Sequence, residues 1–117
     1  MLPQRIQLQR TKGWRMPANT LKVDRSTIYG NPFIAEVRSA KEAVAMFADW
    51  LADPSWHEHA GAAYAPLIIK QLSERRQDLL SSLPNLRGYN LACWCSLPDE
   101  GESELCHAAV LLRLANP

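Results

Sequence analysis

The groups best suited to chemistry lie close together near the end of the chain, as Cys93-Trp94-Cys95 followed by Cys106-His107. These are all of its cysteines. A thiolate is a strong nucleophile and a soft metal ligand, and an imidazole can serve beside it as ligand, acid or base. Three readings follow. Three thiols and an imidazole match a known zinc ligand set, so Cys93, Cys95, Cys106 and His107 are candidate metal ligands. Against that, one residue between the first two cysteines is shorter than the usual spacing of about two to four, and adjacent Cys106 and His107 diverge by about 100° on a regular helix. In the catalytic reading one low-pKa cysteine attacks and His107 serves as its base or acid. In the third, the cysteines are small buried hydrophobes. Residue type alone leaves all three open.

A second constellation lies near the start. Residues 1–25 carry six basic groups against the single acid Asp24, a local charge of +5, while the remaining 92 residues sum to −4. A basic segment on a mildly acidic body suits one anionic ligand held at one place better than nucleic acid bound across a whole surface. The bland alternative is a solvated strand edge guarded by Lys and Arg. Arg15 and Arg25 are the candidate anion holders, because guanidinium matches phosphate through two N–H groups at once. Trp14 offers a ring face for a base, and Asn31 would orient a polar edge from the turn Tyr29-Gly30-Asn31-Pro32-Phe33.

These residues need elements to carry them. Ile6-Gln7-Leu8-Gln9 and Thr20-Leu21-Lys22-Val23 alternate apolar and polar and read as short strands, with a loop over Thr11–Asn19 between them. Ser39 with Glu42 forms a capping box ahead of Ala43, Val44, Phe47, Trp50 and Leu51, which recur at helical spacing until Asp53-Pro54. Ser55–Ala63 is irregular, and its His57 and His59 read as exposed loop residues. Pro66 opens a second helix with an apolar and a charged face, broken at Pro84–Gly88. Tyr89–Cys95 reads as a buried strand that puts Cys93 and Cys95 on one face and Trp94 on the other. An acidic loop, Ser96–Leu105, leads to a last helix over Cys106–Ala115, whose N-terminus would lower a thiol's pKa. The expected fold is a small layered α/β domain with about three helices on a short mixed sheet.

Composition bounds the rest. At 117 residues, 47% hydrophobic and 21% charged, the chain fits one globular domain over 1–117 and excludes wholesale disorder. No apolar run approaches the roughly 20 residues of a membrane span. The polar start leads us to expect no secretory signal, and an odd cysteine count argues against a disulfide framework. The expectation is a cytoplasmic protein.

Taken together, these residues resemble a family of bacteria and phage known as domain of unknown function 4326. The matching pieces are Arg5-Ile6-Gln7-Leu8 with Arg10-Thr11-Lys12-Gly13-Trp14-Arg15-Met16-Pro17, then Arg25 and the turn Gly30-Asn31-Pro32-Phe33, then Leu91–Cys95 with Cys106-His107 and Val110-Leu111. The resemblance implies a small intracellular α/β domain with one site built from the early turn and the cysteine strand. This chain departs from it in a longer stretch between Cys95 and Cys106, and in Ala109, where many members carry an Asp able to act as acid or ligand support.

The expectation for function is a small enzyme or enzyme-like domain acting on a nucleotide or other phosphorylated small molecule through the Cys/His site. The alternative is a non-catalytic module with a structural zinc, or a nucleic-acid-binding N-terminal segment.

Overall fold

Short alternating segments near the start and a buried run near the end form strands, and capped amphipathic segments between them form helices. In the computed structural model, which describes residues 3–33, 39–95 and 106–117, the order is β1 (Arg5–Gln7), β2 (Thr20–Lys22), α1 (Ala40–Ala52), α2 (Trp56–His59), α3 (Pro66–Ser82), β3 (Asn90–Cys93) and α4 (His107–Ala115). The expected acidic loop over Ser96–Leu105 lies outside the described residues.

The layered α/β class holds, and its sheet is parallel in both pairings where a mixed one was expected. The strand order is β1-β3-β2, with Arg5 opposite Leu91 and Leu21 opposite the same residue on the other side. No hairpin joins β1 to β2. The loop over Thr11–Asn19 carries the chain back to the starting edge, turning at Gly13 (φ 86°) and Asn19 (φ 55°). β3, flanked on both sides, buries Leu91, Ala92 and Cys93. The carboxyl ends of all three strands therefore share one edge, with Leu8 N–H donating to Cys93 O and Val23 N–H to Ala92 O just beyond the ladders.

The capping box fixes α1: Ser39 Oγ accepts from Glu42 N–H at 3.2 Å. Its Phe47 and Trp50 are fully buried, and Trp50 meets Phe33 edge to face at 5.5 Å. α3 starts at Pro66 as its sequence requires, but its arginines are not simply a solvated face. Arg76 donates to Trp50 O and Leu51 O at the end of α1, and Arg75 donates to Gly30 O at 2.7 Å. Two half-buried guanidinium groups thus serve as cross-ties between layers, satisfying carbonyls that a helix end and a turn leave open. His57 and His59 are exposed on the single turn α2, with His59 Nδ1 2.7 Å from an Asp53 carboxylate oxygen. Among the described residues no helix is long and apolar enough to cross a membrane.

Candidate functional site

The cysteines come together where β3 ends and α4 begins. The Sγ atoms of Cys93, Cys95 and Cys106 all lie within 4.8 Å of one another, and those of Cys93 and Cys106 are 2.8 Å apart. The convergence arises differently from simple strand alternation. β3 stops at Cys93, and the chain bends there, leaving Trp94 and Cys95 exposed while Cys95 still turns its sulfur to the group. Cys106 is not in the helix: it is the extended N-cap of α4 (φ −137°, ψ 142°). Cys93 and Cys106 are buried.

His107 takes another direction, as its place beside Cys106 implied. It is buried, with Nε2 2.6 Å from Val23 O and Nδ1 3.7 Å from Cys106 Sγ. A carbonyl partner requires Nε2 to carry the proton, so Nδ1 presents its lone pair to the Cys106 thiol. Burial holds the imidazole below its usual pKa and keeps it neutral. The group able to hold a metal ion is thus three cysteines, with His107 behind one of them.

The residue that composition concealed is Arg5. It is 8% exposed, and its Nη1 donates to Cys95 O at 2.6 Å and to Cys93 Sγ at 3.4 Å. On a short strand, an arginine reads as solvated. Only the parallel pairing of β1 with β3 carries it to the sulfurs. The thiols share their protons unequally. Hydrogen bonds from Cys106 and Cys93 pull Cys95 far below the usual thiol range against the cost of burial, with the charge of Arg5 assisting. The same bonds, with burial, push Cys106 up. Cys93 is also raised, because its bond to Cys95 and its burial outweigh the favourable bond with Cys106. The group therefore favours one negative charge, shared through its hydrogen bonds and drawn towards Cys95, the exposed residue.

The early turn is built as a structural hub. Asp24 O accepts from Thr27 N–H and its hydroxyl, and the loop closes so tightly that a Cβ on Gly30 would lie 2.6 Å from Arg25 Cα. Asn31, expected to face a ligand, is 5% exposed with both ends of its amide engaged: Nδ2 donates to Ala43 O and Oδ1 accepts from Phe33 N–H. It ties the turn to α1. Arg15, in the β1–β2 loop, and Arg25, in this turn, are exposed, and Trp14 is half-buried.

A different set of side chains meets the cysteine edge. The Trp94 indole N–H donates to Asp24 Oδ2 at 2.9 Å, and the Arg10 guanidinium lies 4.7 Å from the centre of the Trp94 ring. Burial raises the Asp24 carboxyl, but hydrogen bonds from Ser26 and Trp94 and the charge of Lys22, 3.5 Å away, hold it below the usual range. Neither Arg10 nor Asp24 could be tied to the cysteine edge in advance, since the partner they share, Trp94, lies about seventy or more residues away in sequence.

Fold and site together define a small parallel α/β domain with a thiol group, able to hold a metal ion, at the carboxyl edge of its sheet. The chain belongs to the family described as domain of unknown function DUF4326, whose model matches residues 6–117. No curated protein and no solved structure matches it.

Proposed function

We propose that Cys93, Cys95 and Cys106 bind zinc through three thiolates and leave one position for a ligand, in an enzyme-like domain acting on a nucleotide or other phosphorylated small molecule. The observation that carries this is three sulfurs within 4.8 Å of one another at the strand ends where open α/β sheets take their ligands. Zinc–sulfur bonds of about 2.3 Å set tetrahedral sulfurs roughly 3.8 Å apart, so Cys93 and Cys106 would open by about 1 Å. Bound there, zinc would supply a Lewis acid to a ligand oxygen.

The chain's own groups suit such a centre. Three thiolates and a divalent ion leave one negative charge, and buried Arg5 offsets it, which a low-dielectric site requires. His107 Nδ1 faces Cys106 Sγ at 3.7 Å and holds the thiol as an acceptor until metal binding releases its proton. Its Nε2–H, held on Val23 O, fixes the tautomer and ring.

The second reading, a structural zinc without chemistry, draws on the burial of Cys93 and Cys106 at 1% exposure each. Elemental analysis and cobalt substitution separate the possibilities. One zinc per chain, with a cobalt spectrum that changes when an exogenous thiolate or phosphate is added, supports the open position. One zinc with an unresponsive spectrum supports the structural reading. No metal, with slow alkylation of every cysteine across pH, overturns both.

A further inference from the structure

The proposed function needs a group to hold a phosphate, and the positions of the arginines point to one not singled out by the sequence. We infer that Arg10, seated on the Trp94 ring, is the phosphate receptor beside the cysteine group. This rests on the reading of the substrate as a phosphorylated molecule and names the residues that would bind it.

The first argument is how Arg10 is held. Its guanidinium is fixed by a ring face at 4.7 Å and, among the described residues, by no carboxylate. A π-face contact orients the cation while leaving the N–H edge of the fork unspent, and that edge matches two phosphate oxygens. A carboxylate partner would have used the same donors.

The second is how Trp94 is held. An indole that is 42% exposed gains little from burial, yet its N–H is locked to Asp24, a carboxylate that is itself 8% exposed. Asp24 is braced in turn by the Ser26 amide and hydroxyl. The carboxylate, bonded to Ser26 on one oxygen and to the indole on the other, fixes the orientation of the ring. Here it aims the ring, and the cation on it, from the residue between Cys93 and Cys95. Lys22, 43% exposed at its side chain and 3.5 Å from Asp24, adds a second positive charge. Arg10 on the ring and Lys22 on the carboxylate that holds the ring thus put two positive charges about the Trp94 side chain, next in sequence to the exposed Cys95.

The test uses the full chain, zinc-loaded if it holds zinc, titrated with inorganic phosphate, adenosine 5′-monophosphate and adenosine while the Trp94 indole N–H resonance is followed. Both phosphate-bearing probes should shift that resonance and adenosine should not. Arg10→Gln should weaken phosphate binding by about tenfold or more, the loss of one charge-assisted fork. Arg15→Gln and Arg25→Gln should bind like the wild type. Because Arg10 is exposed, Arg10→Gln should fold and keep its metal content, separating this inference from the zinc reading. Wild-type protein that binds neither phosphate probe, or Arg10→Gln that binds as well as wild type, overturns the assignment even where zinc is present. Loss confined to Arg15→Gln or Arg25→Gln overturns it as well.

Discussion

Replacing Gly30 with alanine tests whether the turn is as tightly closed as its contacts imply. The added Cβ would meet Arg25 Cα at 2.6 Å, Asp24 O at 2.9 Å and Arg25 N at 3.1 Å. Carbon contacts are comfortable at about 3.5–4.0 Å, so the turn must open by roughly 1 Å. All three neighbours are backbone atoms, and no rotamer change can relieve them. Opening strains the Gly30 N–H bond to Thr27 O at 3.3 Å and the Arg75 bond to Gly30 O at 2.7 Å. Overpacking costs about 1–3 kcal/mol, and the loss of either one of these two hydrogen bonds adds about 0.5–1.5 kcal/mol, for a total near 3 kcal/mol. In a chain of this length that corresponds to a fall in melting temperature of about 10–15 °C. Circular dichroism melts and urea titrations of wild type and Gly30→Ala measure it. The Trp94 indole resonance should move as well, because Asp24 is among the neighbours displaced. A variant that melts within about 2 °C of wild type refutes the steric argument.

Other outcomes follow from the same contacts. Cys106→Ser should lower zinc affinity by about a hundredfold or more, as roughly a quarter of the 10–16 kcal/mol typical of structural zinc is lost with one thiolate; competition with a chromophoric chelator reads it. Arg5→Met should reduce metal affinity by about 10–100-fold, the usual effect of removing a group that supports the ligands, with Arg5→Lys in between because lysine keeps the charge but not the fork. Asp24 has its folded pKa held below the unfolded value, so its stabilisation is present above about pH 4 and lost as pH falls through the folded pKa. Asp24→Asn should therefore be less stable at pH 7 by about 1–3 kcal/mol and lose less than wild type between pH 7 and pH 3 in urea unfolding.

Local chemistry made the helices readable. Ser39, Glu42, Pro66 and the apolar spacing around Phe47 and Trp50 act within a few residues of themselves, and the structure follows them. The strands were legible as segments, shifted by a residue or two. Their parallel order was not, because it depends on β3 inserting between β1 and β2, a pairing across the whole chain. The candidate site divides the same way. The cysteines announced themselves by type, whereas Arg5 reached them through that insertion. Asn31 shows the opposite case: a residue fit for a ligand by its chemistry is occupied by its own neighbours. Arg75 and Arg76 looked like solvent-facing charge, because nothing nearby in sequence says that a helix end and a turn need donors.

The strand at the centre of the sheet is also the last to be synthesised. Until residue 90 leaves the ribosome, β1 and β2 have no partner, since neither pairs with the other. Assembly must await Asn90–Cys93, and the nascent chain carries two unpaired strands through that interval. Such long-range closure slows folding relative to hairpin-built sheets. A ribosome stalled before Asn90 would hold a chain in which β1 and β2 have no strand to pair with.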